Sequence, residues 1–99
     1  MRPLERLKFK IEVEDLWLFV LSSLSRKPMS GKELKALIRR KFDFVTGEVT
    51  AYKVLYSLES GGYVVAERSG KYVTYTITKK GRSELSAGRR LLAGYARRL

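Results

Sequence analysis

The sequence contains no cysteine, histidine, asparagine or glutamine among its 99 residues. Without cysteine it can form no disulfide and no thiolate metal site, and without histidine it lacks the usual transition-metal ligand and the usual general base. These absences argue against an enzyme and predict neither a metal nor a cofactor. Because cysteine and the side-chain amides are thermolabile, their absence also suggests a thermophilic source.

Long hydrophobic runs are absent as well. The longest, Leu16–Leu21, is far shorter than the roughly 18 residues that a membrane span needs. The N-terminus has no signal-peptide pattern, so we expect a cytoplasmic protein without membrane association. A chain of this length suits one domain, and a hydrophobic content of 44% is enough for a packed core.

Positive charge is what the sequence has in excess. It carries 21 Lys and Arg against 10 Asp and Glu, a formal net charge of +11, which favours a polyanionic partner through phosphate contacts and counterion release. The charge is uneven: residues 16–47 and 79–99 are strongly basic, whereas residues 1–15 and 48–78 are balanced. We therefore expect double-stranded DNA as the partner, with a merely solubilising surface as the alternative.

The first fifteen residues form an N-terminal arm with two possible readings. Leu7, Phe9, Ile11 and Val13 alternate with charged residues, and this period of two favours a short extended strand. Leu4, Leu7 and Ile11 also fit one helical face, so a helix is the competitor. The alternation favours the extended arm.

Three helices are predicted next, over residues 16–25, 31–41 and 48–60. The first is apolar nearly all round and follows Asp15, a residue type that caps helices. Ser30 and Glu33 have the spacing of a capping box for the second helix. Gly61-Gly62 ends the third, as glycine does at helix C-termini.

A β-hairpin and a last helix complete the pattern. Strands are predicted at residues 63–68 and 72–78, with a turn at 69–71, and Thr78 is placed to cap a helix over 79–98. The order predicts an α+β, mainly helical fold. Residues 16–78 form a winged helix-turn-helix with a three-helix core and a two-stranded β wing, and residues 79–99 add a C-terminal dimerisation helix. In this fold the third helix usually occupies the DNA major groove.

Two segments carry a family resemblance. Residues 50–64 (TAYKVLYSLESGGYV) resemble the T-x-Y-x-x-L-x-x-L-E-x-x-G-hydrophobic pattern of PadR-like transcriptional regulators, and residues 75–82 (YTITKKGR) resemble the segment that closes that family's wing. The resemblance extends from Leu18 to Leu85. It implies a dimeric repressor, sometimes relieved by a small-molecule effector, although no residue here points to such a ligand.

Base contacts are expected from the start and the outward face of the 48–60 helix. Lys53 can donate to guanine, whereas the lack of asparagine and glutamine removes the standard adenine contact, so DNA shape should contribute to recognition. For Tyr52, packing in the core is an equal alternative. The candidate residues are Thr46, Thr50, Tyr52, Lys53, Tyr56 and Ser57.

Phosphate contacts are expected from basic residues beside that helix. Lys32, Lys35, Arg39 and Arg40 of the second helix are candidates, although they can equally form a solvated face. Arg68 and Lys71 lie near the hairpin tip, where they can reach the minor groove or simply discourage strand pairing.

The last helix carries a seam typical of helix pairing. Its members, spaced three and four apart and widened by Leu91, predict a homodimer; packing on the chain's own first helix is the alternative. The seam comprises Leu85, Gly88, Leu91, Leu92, Tyr95 and Leu99. Against a dimeric regulator stand an architectural or protein-interaction winged helix without strong sequence specificity, and an RNA-binding protein.

Overall fold

The computed structural model describes all 99 residues. It contains five α-helices and one two-stranded sheet, and a π-helical turn at Lys10–Glu14 joins the first two helices. The elements are α1 (Pro3–Phe9), α2 (Leu16–Leu24), α3 (Gly31–Phe42), α4 (Glu48–Ser60), β1 (Val64–Ser69), β2 (Tyr72–Ile77) and α5 (Lys79–Arg98).

The prediction of an extended N-terminal arm is wrong, because residues 3–14 are helical. The only sheet is the two-stranded hairpin, so the alternating pattern has no strand to pair with. Local interactions favour the helix instead: Pro3 occupies its first turn, where proline is well tolerated, and Lys8–Glu12 and Lys10–Glu14 ion pairs span successive turns.

The capping predictions had mixed outcomes. Asp15 makes no side-chain cap on α2, because its own N–H continues the π-helical turn by donating to the Lys10 carbonyl. Ser30 and Glu33 do form the capping box of α3: the Glu33 N–H donates to Ser30 Oγ, and the Ser30 N–H donates to Glu33 Oε1. Thr78 Oγ1 likewise accepts from the Gly81 N–H at the start of α5.

One hydrophobic core joins the helices to the wing. Helix α2 runs through its centre, because its residues are apolar on every side and four of them are at most 1% exposed. Helices α3, α4 and α5 and the inner face of the hairpin cover it. The principal core residues are Leu16, Val20, Leu21, Leu24, Leu34, Ile38, Leu55, Leu58, Val64, Tyr75, Ile77 and Leu85.

The hairpin is regular and anchored at both ends. Its antiparallel register runs from Val64 opposite Ile77 to Ser69 opposite Tyr72, with Gly70 at φ 61° in the turn. At the base, the Tyr75 and Met29 backbones exchange hydrogen bonds of 2.8 and 3.1 Å. The α2–α3 connection thus joins the edge of β2, which holds the wing against the three-helix core.

Candidate nucleic-acid interface

The outward stripe of α4 consists of Val49, Lys53, Tyr56 and Ser60. These residues recur every three or four positions, opposite the buried Ala51, Leu55 and Leu58, so they share one face of the helix. Val49 is 70% exposed and Tyr56 is 72% exposed. The stripe therefore presents a continuous surface that the chain's own fold leaves uncovered.

The polar candidates nearest the start of α4 are less accessible than expected. Thr46 is only 7% exposed and its hydroxyl has no hydrogen-bond partner, so it faces the interior and does not reach a base in this conformation. Thr50 is half-buried, while Ser57 is exposed at the edge of the outward stripe. Sequence reasoning preferred polar residues and missed Val49, although its place four residues before Lys53 puts both on one face.

Tyr52 combines both readings offered by the sequence. Its ring lies against the first turn of α3, so closely that a Cβ on Gly31 would come within 2.7 Å of the Tyr52 hydroxyl oxygen. The residue nevertheless remains 44% exposed. Tyr52 therefore packs α4 on α3 and keeps its polar end at the surface.

The basic residues of α3 divide between two surfaces. Lys32 and Lys35 line a shallow depression with Glu48 and Tyr52, directly beside the reading face of α4. Arg39 follows Lys35 by four residues and is exposed on the same side of α3. Arg40 instead lines a separate groove with Arg26 and Lys27, so only part of the predicted cluster adjoins α4.

Arg68 does not lie at the wing tip. Strand β1 continues to Ser69, which places Arg68 within the strand, on the face that looks toward α4. There its guanidinium donates to both carboxylate oxygens of Glu59, each at 3.3 Å. The hydrogen bond and charge of Glu59 raise the pKa of Arg68 above its ordinary value.

Lys71 is the basic residue that does occupy the wing tip. It is exposed in the hairpin turn, with Nζ 5.8 Å from the centre of the Tyr72 ring. Between the wing and α4 lies an open groove of about 780 Å³, with Tyr56 and Lys53 on one side and Arg68 and Tyr75 on the other. Burial raises the pKa of Tyr75, which forms the floor where the wing meets the core.

The seam predicted on α5 divides into two halves. Leu85 is buried in the chain's own core. Gly88 faces α2 so closely that a Cβ there would lie 2.8 Å from Leu18 Cδ2 and 2.9 Å from Trp17 Cη2. Beyond Gly88 the helix leaves the core, and its remaining apolar side chains are exposed: Leu91, Leu92, Tyr95 and Leu99.

Two other kinds of site are not found. None of the helices has the length and hydropathy that crossing a membrane requires. No three acidic side chains lie close enough together to hold a metal ion.

Known structures share this architecture. A transcriptional regulator from Clostridium thermocellum aligns with a TM-score of 0.77 and 24% identity over 82% of this chain and 85% of that one. A PadR family transcription regulator from Clostridium difficile aligns with a TM-score of 0.75 and 21% identity over 82% and 90%. Bacillus subtilis PadR, solved in complex with operator DNA, aligns with a TM-score of 0.65 and 20% identity over 73% of this chain and 44% of its own. These likenesses confirm the predicted winged-helix fold.

Sequence comparison identifies the family. Among curated proteins, no sequence matches the chain significantly. A family model does match: that of the transcriptional regulator PadR-like family, over residues 20–87, which include α3, α4, the wing and the first half of α5. The chain therefore belongs to the PadR-like family, whose members are transcriptional regulators and not enzymes.

Proposed function

We propose that the protein is a repressor that binds double-stranded DNA with sequence preference and acts as a homodimer in the cytoplasm. The observation that carries this proposal is the outward stripe of α4, which is free of intramolecular packing and flanked by cations on two sides. Lys32 and Lys35 lie beside it on α3, and Lys71 lies at the tip of the wing. The operator complex of Bacillus subtilis PadR gives independent support for DNA as the partner.

In this proposal α4 lies in the major groove, which is wide enough to admit a helix. Lys53 stands near the middle of the outward stripe and donates to guanine O6 or N7. Tyr56 and Ser57 lie beside it and contact the groove wall. Because Lys53 is the only basic residue on α4, direct readout has few charged contacts, and DNA shape contributes the rest.

The flanking residues bind phosphates and set the register. Lys32 and Lys35 lie in the first turns of α3, where free backbone N–H groups also favour an anion, and the Tyr52 hydroxyl lies against the same turn. Arg39 extends this row along the backbone. Lys71 carries the wing tip toward the minor groove.

A second copy of the chain is the proposed occupant of the exposed apolar surfaces at the two ends of the chain. No residue of α1 is buried, and Leu4 and Leu7 are exposed; a helix this short is marginal in water without a packing partner. The outer half of α5 exposes Leu91, Leu92 and Tyr95. Pairing these helices across a two-fold axis buries both faces and predicts a palindromic operator.

Selection of bound duplexes from random DNA tests the DNA-binding proposal. We expect a palindrome with half-sites about one helical turn apart, and affinity that falls steeply with salt. Lys53→Ala should relax preference at one base pair per half-site, whereas Lys32→Ala should weaken all duplexes alike and lower the salt slope by about 0.9. Salt-dependent binding without sequence preference would support the architectural alternative instead.

The dimer has a separate test with a matched control. Tyr95→Glu places a charge on the exposed seam of α5 and should yield monomers in sedimentation measurements. Ala93→Glu adds the same charge on another exposed side of the helix and should remain dimeric. Equal oligomeric states for the two variants would contradict the proposed interface.

A further inference from the structure

Val49 is a surface residue that the fold does not explain. It is 70% exposed in the first turn of α4 and takes no part in the hydrophobic core. A β-branched residue at an exposed helical position is also less favourable for the helix than alanine. Neither packing nor helix propensity therefore accounts for a valine here.

Its position gives it a direct relation to the DNA-reading surface. Val49 begins the outward stripe, and Lys53 follows one turn later on the same face. Residues near the N-terminus of a recognition helix are the ones that contact base edges. Within the major groove, the one apolar group that a base presents is the C5-methyl of thymine.

We infer that Val49 is a specificity-determining residue that recognises a thymine through its C5-methyl group. This inference rests on the proposed placement of α4 in the major groove. The valine methyl groups and the thymine methyl exclude water from each other, so the contact rewards T·A and not the other pairs at that position. Four residues of helix rise separate Val49 from Lys53 by about 6 Å, so the thymine and the guanine they contact lie within about two base pairs of each other, at 3.4 Å per step.

The chain offers a closely matched control. Val45, in the loop before α4, is 74% exposed but precedes the helix and lies outside the outward stripe. Val45→Ala and Val49→Ala remove the same two methyl groups from equally exposed sites. Because alanine is the better helix former, Val49→Ala also keeps α4 intact.

The experiment uses the duplex preferred in the random-DNA selection, with each thymine of the half-sites replaced in turn by deoxyuridine, which lacks only the methyl group. For the unmodified protein, one such replacement should weaken binding about fourfold per half-site, the effect of one buried methyl group. Val49→Ala should lose this thymine-to-uracil penalty, and Val45→Ala should retain it in full.

Two results would overturn the inference while leaving the proposed function intact. One is a penalty in Val49→Ala equal to that of the unmodified protein. The other is a preferred site with no thymine in its half-sites. If no duplex sequence is preferred at all, the proposed function fails and the inference fails with it.

Discussion

Arg68 on β1 and Glu59 on α4 are joined by two hydrogen bonds, from Nη1 to Oε2 and from Nη2 to Oε1, each 3.3 Å. The pair links the wing to the helix that we place in the DNA. Both side chains remain partly exposed, and surface ion pairs of this kind add little to stability. Its main consequence is electrostatic, because Glu59 engages a cation that would otherwise face the phosphates.

Release of Arg68 should strengthen DNA binding. In Glu59→Gln the guanidinium loses its anionic partner, so we expect tighter binding and a salt slope steeper by up to about 0.9, the value for one additional phosphate contact. Glu67→Gln is the control, because Glu67 makes the same charge change on the opposite face of β1. If both variants shift the slope equally, the ion pair does not restrain Arg68.

The buried Thr46 should respond in stability and not in DNA binding. Thr46→Val replaces a buried hydroxyl that has no partner by a methyl group of similar size, and it should raise the free energy of unfolding by about 1 kcal/mol. Thr46→Ser keeps the hydroxyl and removes a methyl group, so it should lower that free energy by about the same amount. Chemical denaturation measures both. A large loss of operator affinity in Thr46→Val would restore the residue to the DNA interface.

Two glycines of α5 should respond in opposite directions to the same substitution. A Cβ on Gly81 would overlap the backbone carbonyl oxygen of Tyr63, which cannot move aside cheaply, so Gly81→Ala should destabilise the fold by about 1–3 kcal/mol or more. Gly94 has open space around it, with Arg98 Nη2 the nearest atom at 3.9 Å. Gly94→Ala should therefore stabilise α5 by up to about 1 kcal/mol. Thermal unfolding of the two variants distinguishes them, and equal shifts would count against this packing.

The capping box of α3 should make stability depend on pH. The pKa of Glu33 is lowered below 4.5, first by its hydrogen bond from the Ser30 backbone and then by the Ser30 side chain. A lowered pKa in the folded state means that this contribution is present above the unfolded value and is lost as pH falls through the folded value. Glu33→Gln preserves the reach of the side chain without its charge. The melting difference between parent and variant should shrink below pH 4.5, and a constant difference down to full protonation would contradict this.

The sequence predicted those features that depend on nearby residues. The Ser30–Glu33 box, the Thr78 cap and the hairpin turn at Gly70 each follow from chemistry within a few positions. The N-terminal arm was mispredicted because the same residues fit two periods, and the choice depended on whether a strand elsewhere could pair with it.

Candidate site residues failed for a related reason. Whether Gly88 faces its own α2 or a partner, and whether Arg68 meets DNA or Glu59, depends on elements far away in the chain. Val49 was missed because an exposed valine runs against the expectation that apolar residues lie inside. Helical phase, taken from Leu55 and Lys53, was the signal that could have found it.

The backbone exchange between Met29 and Tyr75 has a consequence for cooperativity. It joins a loop residue to the middle of a wing strand, so the hairpin cannot detach without also releasing the α2–α3 connection and exposing the core side chain of Met29. Partial openings of the wing are thereby coupled to unfolding of the helical core. The amide protons of Met29 and Tyr75 should accordingly exchange with solvent as slowly as those of α2, although Met29 lies outside any helix.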